Sequence, residues 1–148
     1  MASVECDVSD FVRLLDGIQK DLGERTLPAA MRTVGARAVS IAQASHPYHD
    51  RSGDLSRSIA LASGRDGSTY WTQIGTNKEY APYVEFGTGQ KGSATYVDRN
   101  GGVHTADVVF RPDWKGSKPY PFIRPAVYDN LDYYRSMIAD ALRKAGSP

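Results

Sequence analysis

The chain has 148 residues, of which 41% are hydrophobic and 24% are charged, and its formal net charge is +1. This length suits a single domain, and the composition is that of an ordinary soluble protein, since no apolar run approaches the roughly 18 residues that a membrane span requires. The near-neutral charge disfavours a protein whose main role is to hold nucleic acid by its phosphates, because such proteins usually carry a strong basic excess.

The N-terminus predicts neither export nor a disulfide. Residues 1–10 lack the basic-then-apolar opening of a secretory signal. Cys6 is the one cysteine in the sequence, so we expect no internal disulfide, which fits synthesis in a reducing cytoplasm.

Two helices are predicted next. Thr26 caps the second of them, which has Pro28 in its first turn and an alanine-rich stripe that predicts close packing against a neighbouring helix. The first helix starts from a cap at Asp7 or Ser9 and is expected to end at Gly23. Its apolar residues at helical spacing are Phe11, Leu14, Leu15, Ile18 and Leu22.

A short helical turn and a β-hairpin follow. Ser52 is expected to cap the turn, in which Leu55 and Ile59 lie four residues apart and therefore face the same way. Residues 59–63 and 69–76 then alternate in the manner of two paired strands, with a turn at residues 64–67 between them. This segment predicts the first antiparallel pair of the fold.

Residues 80–89 carry the densest pattern in the chain. Gly87 directly follows the last apolar position and is expected to end a short helix with a positive φ. This helix begins near Pro82 and is expected to turn its aromatic face to the core. The side chains at helical spacing on that face are Tyr80, Tyr83, Val84 and Phe86.

Glu85 is the one charged side chain inside this aromatic cluster. An unpaired carboxylate in an apolar setting is costly, so a buried Glu85 requires an arginine partner, for which Arg57 and Arg124 are the candidates. A catalytic general base with a raised pKa is the alternative, but no second acid, base or metal ligand accompanies it in the sequence.

Residues 90–118 are predicted to form a projecting β-hairpin arm. Strand-like runs at residues 94–98 and 103–110 flank an Asn-Gly step, which is a strong hairpin signal. A two-stranded hairpin alone is at best marginally stable, and the segment holds too many apolar side chains for a solvated loop. We therefore expect these side chains to form a subunit interface. They are Tyr96, Val97, Val103, Val108, Phe110 and Trp114.

The C-terminal segment predicts one long helix. Prolines keep residues 118–125 extended, and Pro125 suits the first turn of a helix that ends at Gly146. Its apolar stripe consists of Val127, Leu131, Tyr134 and Ile138, followed by Ala141 or Leu142. Together the elements predict one α+β domain over residues 1–148, with a small antiparallel β-sheet packed against the long C-terminal helix and the N-terminal helices.

The sequence carries no clear catalytic, cofactor-binding or metal-binding pattern. His46, His49 and Asp50 form the one cluster that resembles metal ligands. Pro47 separates the two histidines and His104 lies in the arm, so a polar loop is the preferred interpretation. No nucleophile elbow is present, and the glycine-bearing turns lack the spacing of a phosphate-binding loop.

Three separated motifs stand at residues 51–59 (RSGDLSRSI), 80–88 (YAPYVEFGT) and 119–126 (PYPFIRPA). In this order and spacing they resemble the neck, or tail-completion, proteins of tailed bacteriophages, and the resemblance extends over about residues 29–145. Ser52 stands where that family more often has threonine and keeps the capping hydroxyl. The motif and core residues are Ser52, Gly53, Leu55, Ser58, Ile59, Tyr80, Tyr83, Val84, Glu85, Phe86, Gly87, Thr88, Pro121, Phe122, Pro125 and Ala126.

The resemblance implies a non-enzymatic virion protein that forms a homo-oligomeric ring, a hexamer or a dodecamer, around the DNA channel of the phage neck. Such a ring completes the tail, joins it to the head and contacts other neck and tail proteins. Genomic DNA passes through it without sequence-specific binding. No cofactor and no membrane are implied, and assembly takes place in the host cytoplasm. A ring joined head to tail needs two different complementary surfaces on each subunit, and the arm is a candidate for one.

Three alternatives stay open. A tail-terminator ring that caps the tail tube has the same chemistry and differs in its position in the particle. A DNA-binding or toxin-like module predicts tight, salt-dependent binding of duplex DNA by the isolated chain. A small hydrolase built on His46, His49 and Asp50 predicts a metal in the purified protein.

Overall fold

A computed structural model describes residues 9–45 and 47–147, so the interpretations of Cys6, Asp7 and His46 lie outside the described residues. Two helices are followed by alternating short helices and hairpins, and two further helices end the chain. The elements are α1 (Ser9–Asp21), a π-helical segment (Leu22–Thr26), α2 (Leu27–Ala44), α3 (Asp54–Ser58), β1 (Ala60–Asp66), β2 (Thr69–Gly75), α4 (Ala81–Phe86), a 3₁₀ turn (Gly89–Lys91), β3 (Thr95–Val97), β4 (Val103–Thr105), α5 (Ile123–Tyr128) and α6 (Leu131–Ala145).

The predicted break between the first two helices is wrong. Asp21 (φ −63°, ψ −43°) and Thr26 (φ −68°, ψ −51°) both keep helical backbone angles, so α1 continues into α2 through the π-helical segment. Pro28 explains the widened turn, because it cannot donate to the carbonyl of Glu24 and its ring crowds that carbonyl. The Tyr70 hydroxyl also donates to the Gly23 carbonyl at 2.7 Å from outside the helix.

α2 is the centre of the fold. It packs against β1 and β2 on one side and against α5 and α6 on another, and its alanines permit this close approach. Ala42 lies in one buried cluster with residues of α3, α4 and α5, and Ala38 lies in a second cluster with Tyr134 of α6. Ile41 and Ile74 pack against both clusters and so join them into one continuous interior.

The predicted α+β class is confirmed, although the two hairpins form separate two-stranded sheets. β1 pairs with β2 from Ala60 opposite Gly75 to Asp66 opposite Thr69. The turn is therefore the two residues Gly67 and Ser68, with Gly67 at φ +60°, and not the predicted four at 64–67. Gly64 therefore lies within β1 opposite Trp71, whose ring lies directly on the bare backbone of this glycine.

The second hairpin is shorter than predicted. β3 pairs with β4 over three residues each, so the second strand ends at Thr105 and does not reach Phe110. The Val108 amide donates to the Ala106 carbonyl at 3.1 Å in a three-residue turn that redirects the chain. Residues 107–118, which begin within this turn, have no regular secondary structure and are called the strap below.

The predicted single C-terminal helix is divided into α5 and α6. Asn130 leaves the helical conformation (φ −121°, ψ 12°). Its side-chain amide nitrogen, Nδ2, donates to the carbonyls of Pro125 and Ala126 at 3.3 and 3.1 Å. The side-chain bond to Ala126 takes the place of the Asn130 backbone bond that would have continued the helix, because the Asn130 N–H donates instead to Val127 at 3.3 Å. α6 then starts afresh at Leu131. Within residues 9–45 and 47–147, no helix is both long and apolar enough to cross a membrane.

Candidate functional site

A buried ion pair joins the second and third motifs. Arg124 Nε lies 2.8 Å from Glu85 Oε1, and the two residues are 7% and 4% exposed. The predicted pairing of Glu85 with an arginine is therefore confirmed for Arg124. The other candidate was wrong, because Arg57 is exposed and bonds to Asp54 at 2.7 Å.

Glu85 also closes the start of α5. Its two carboxylate oxygens accept the backbone amides of Phe122, Ile123 and Arg124 at 2.7, 2.9 and 3.0 Å. The first amides of a helix have no partner within the helix, and a carboxylate satisfies both their hydrogen bonds and their partial positive charge. With the Arg124 side chain, Glu85 accepts four N–H donors, which is an arrangement suited to holding two segments together.

The Arg124 guanidinium extends the junction to the second hairpin. Nη2 donates to the Glu85 carbonyl at 2.7 Å, and Nη1 donates to the Ala94 carbonyl at 3.4 Å. The guanidinium also lies over the rings of Phe86 and Tyr96, at 4.5 and 5.6 Å from their centres. Phe86 is thus half-buried beneath a cation, whereas a fully buried core position was expected.

The first motif folds into α3 and contacts the same core. Leu55 and Ile59 are buried together, which confirms that they face the same way. Ser52 accepts the Asp54 amide at 3.3 Å, but the stronger cap is Asp50. Its carboxylate accepts the amides of Gly53 and Ser56 at 2.9 and 3.2 Å and the Ser56 hydroxyl at 2.6 Å.

The candidate metal ligands do not assemble in the part of the chain that the structure describes. Asp50 is engaged as the α3 cap, and His49 is exposed. His104 lies far along the chain in β4, where Nε2 is 2.7 Å from Asp98 Oδ2. Among the described residues, no three His, Cys, Asp or Glu side chains form a group that could hold a metal ion.

Tyr80 and Tyr83 were expected in the core, and that expectation is wrong. The buried residues of α4 are Ala81 and Glu85, one turn apart, so they set the inward face of this six-residue helix. Tyr83 lies on another face and is 63% exposed, and Tyr80 is also exposed. The requirement to bury and pair Glu85 therefore decides the orientation of α4.

Gly87 has the predicted positive φ, at +70°. The chain that follows it makes a contact that the sequence did not indicate. The chain after α4 crosses the strap backbone to backbone: the Thr88 amide donates to Ser117 and the Gln90 amide to Trp114, both at 2.8 Å. A Cβ on Gly116 would collide with the Thr88 carbonyl. The glycines therefore permit two backbones to touch.

The predicted arm contains the β-hairpin that was expected, and the base of this hairpin is attached to its own chain. The inward face of the second hairpin packs on Tyr128 of α5, with the His104 ring stacked on it at 3.7 Å between ring centres. The Tyr96 hydroxyl donates to Asp129 at 2.8 Å, and the Arg99 amide donates to the other Asp129 oxygen at 2.9 Å. Tyr96 therefore makes an intramolecular contact, and its place in a subunit interface stays a prediction.

Two groups of this hairpin have shifted pKa values. Burial, together with the hydrogen bond to Asp129, raises the pKa of Tyr96 to about 12. The hydrogen bond from His104 and those from the backbone amides of Gly102 and Asn100 lower the pKa of Asp98. Both shifts follow from contacts that exist only while the hairpin is folded.

The remaining interface candidates lie either on the hairpin or in the strap. Val97 and Val103 face each other on the outer side of the hairpin and are more than half exposed. Trp114 in the strap is also exposed, and Val109 beside it is 93% exposed. Val108 and Phe110 are half-buried and line an apolar cavity between the strap and α4. Within the predicted arm, the strap thus combines exposed apolar side chains with an open apolar cavity.

Sequence reasoning missed the exposed face of α1. Val12, Leu14, Leu15 and Ile18 are all among the exposed large hydrophobic residues. Among the described elements, α1 contacts chiefly the π-helical segment that follows it. Helical periodicity indicates that such a face packs against a partner, but it does not show whether that partner is in the same chain.

Comparison with known proteins supplies one match. Residues 10–87 match the model of the HK97-gp10_like family, described as "Bacteriophage HK97-gp10, putative tail-component". This match covers α1 to α4 and ends at Gly87. No curated protein and no solved structure matches the chain.

Proposed function

Because the chain belongs to the bacteriophage HK97 gp10-like family, we propose that it forms a ring in the phage neck that completes the tail and joins it to the head. The family match is the observation that carries this proposal, since it spans more than half of the 148 residues. The less specific role, that of a structural protein of the phage tail, follows from the family itself.

The structure supports an assembling protein in a specific way. The second and third motifs meet at the Glu85–Arg124 junction, which ties α4, α5 and the second hairpin into one body. Outside this body, the face of α1 and the strap leave large apolar side chains exposed. Contiguous exposed apolar groups mark interaction sites, and a closed ring of identical subunits requires two such surfaces of different shape.

The charge of the chain fits a channel that DNA passes through without being held. A formal charge of +1 on 148 residues gives little affinity for phosphates, whereas tight duplex binding relies on many basic contacts. We expect the isolated chain to bind duplex DNA weakly and without sequence preference. A mobility-shift titration at low and moderate salt distinguishes this behaviour from that of a DNA-binding module.

The direct test is a phage in which this gene is not expressed. Head-to-tail joining predicts that DNA-filled heads and finished tails of normal length accumulate unjoined, and that purified protein added to the lysate restores infectious particles. Tails of irregular, excessive length would instead assign the chain to tail termination. Intact infectious particles lacking the protein would contradict both.

A further inference from the structure

We infer that α1 of one copy docks on the strap of the next copy, so that these two surfaces form the head-to-tail contact of the assembly. This inference rests on the proposed ring and adds the surfaces that build it. The strap surface consists of Val109 and Trp114 together with Tyr83 of α4.

The α1 surface is an apolar face without a cover in the described chain. Leu14 and Leu15 are 59% and 47% exposed, and Ile18, one turn further, is 37% exposed. They lie on one side of a helix whose other positions are mostly polar. A helix of 13 residues is marginal by itself in water, so continuity with α2 and a partner on the apolar face must together maintain it.

The strap offers a site of matching size. A cavity of about 170 Å³ lies between α4 and the strap, and Phe86, Val108 and Phe110 line it. Cavities of about 150 Å³ lined by aliphatic and aromatic groups hold a benzene molecule, so this one has room for a leucine side chain from a docked helix. The exposed Tyr83 and Trp114 at its rim are the residue types that most often anchor interfaces.

The two surfaces lie at opposite ends of α2. α1 leaves the N-terminal end through the π-helical segment, whereas Ala42 near the C-terminal end packs with Ala81 of α4 and Phe122. An 18-residue helix is about 27 Å long, so α1, which continues from the far end, is not placed to cover its own strap. A second copy can supply each missing cover.

The charges of the two surfaces are complementary. α1 carries three aspartates against one arginine and one lysine, while the strap carries one arginine and two lysines against two aspartates. Within the strap Arg111 is paired with Asp113 at 2.8 Å, and Lys115 and Lys118 are exposed. Opposite net charges favour α1 on the strap over α1 on α1, and a two-fold α1 pair would leave both straps uncovered.

Two variants with matched controls test this contact. The helix variant carries Leu14→Gln and Leu15→Gln, and the strap variant carries Val109→Ser and Trp114→Ser. All four sites are exposed, so both variants should have the circular dichroism and melting temperature of the monomeric wild-type chain, measured at a dilution that dissociates the assembly. Each variant alone should be monomeric in size-exclusion chromatography with light scattering, under conditions in which the wild-type chain assembles.

The decisive sample is a 1:1 mixture of the two variants. The strap variant keeps an intact α1 and the helix variant keeps an intact strap, so they should form one heterodimer and nothing larger. Lys20→Gln, which changes the opposite side of α1, should assemble like the wild type. So should Val97→Ser with Val103→Ser, the same kind of change on the outer face of the second hairpin.

Several outcomes would overturn the inference. A mixture that stays monomeric, either variant pairing with itself, or loss of assembly in the hairpin control would each exclude the α1–strap contact. A helix variant that still forms the wild-type ring would do the same while leaving the proposed ring standing. Conversely, a capped heterodimer from the mixture with open chains from the wild type would keep the contact and remove the ring.

Discussion

α1 and the second hairpin differ in how they are attached to the rest of the domain. α1 has a regular stripe of large aliphatic residues, and those side chains stay exposed. The hairpin has only three residues in each strand, yet it is fixed in place by Asp129 and Arg124 from the C-terminal segment. The number of apolar groups therefore does not decide which element is anchored; specific polar partners from distant parts of the chain do.

The hairpin illustrates why such partners matter. A two-stranded hairpin is marginal alone, and its inward face is only Tyr96 and His104. Two hydrogen bonds that the hairpin donates to Asp129, together with stacking on Tyr128, hold it against α5. Among the described elements, α1 contacts chiefly the π-helical segment that follows it. Polar partners therefore distinguish the two elements. The hairpin has them and is anchored within its own chain, whereas the apolar face of α1 stays open to a second copy.

The largest effect is expected from breaking the junction that anchors the hairpin. Glu85→Ala leaves the Arg124 guanidinium and three α5 amides without their carboxylate, which should lower the free energy of unfolding by about 3–5 kcal/mol. Glu79→Ala, at an exposed position just before α4, should change it by less than about 0.5 kcal/mol. Urea denaturation of both variants measures the difference. Equal stability of the two would mean that the pair does not hold the body together.

A smaller effect is expected where the strap crosses the chain after α4. Gly116→Ala places a methyl group against the Thr88 carbonyl and also requires a positive φ of +64°. Gly101→Ala requires φ +84° but meets no neighbouring atom, so it isolates the backbone cost. Gly116→Ala should be the more destabilising by about 1–3 kcal/mol. If the two variants melt together, the close crossing is not part of the folded state.

The stability that the attached hairpin contributes should also decrease at high pH. The folded-state pKa of Tyr96 is about 12, above its ordinary 10.0, so its contribution is complete below pH 10 and is lost as pH rises from about 10 to about 12. Tyr96→Phe, which cannot donate to Asp129, should lower stability by about 1 kcal/mol at pH 7 and remove this loss. Ultraviolet titration of tyrosinate in both proteins tests the assignment. Ordinary titration of all tyrosines near pH 10 in the parent would contradict it.

The smallest effect concerns α1. Gly17 lies within the helix, and a Cβ there would meet no atom within 4 Å. Gly17→Ala should therefore stabilise α1 by up to about 1 kcal/mol without changing its apolar face, and assembly should be retained or strengthened. Helicity by circular dichroism and the oligomer distribution report the two results. Weaker assembly from a more stable helix would show that α1 must unfold to make its contact.

Local patterns were enough to predict the α+β class, the first hairpin and the positive φ of Gly87. Glu85 was also correctly expected to need an arginine, because burying an unpaired carboxylate is costly whatever the fold. Tyr80 and Tyr83 were placed on the wrong side, since helical spacing gives relative directions but not which side is inward.

The roles of Asp129 and Asn130 could not be predicted from the sequence. Both lie inside a stretch with a regular helical stripe, and what divides the helix is hydrogen bonding by the Asn130 amide. Asp129 takes its partners from residues 96 and 99, about 30 positions away. Likewise, the stripe of α1 indicates an interface, but whether it lies within the chain or between copies depends on the space left by the rest of the fold.

Amide hydrogen exchange on the monomeric helix variant and on the wild-type assembly tests the central claim most directly. If the hairpin is anchored within the chain and α1 awaits a second copy, amides of β3 and β4 exchange slowly in both samples. Amides of α1 then exchange quickly in the monomer and slowly in the assembly. The opposite pattern, a hairpin protected only in the assembly and an α1 protected already in the monomer, would contradict the account.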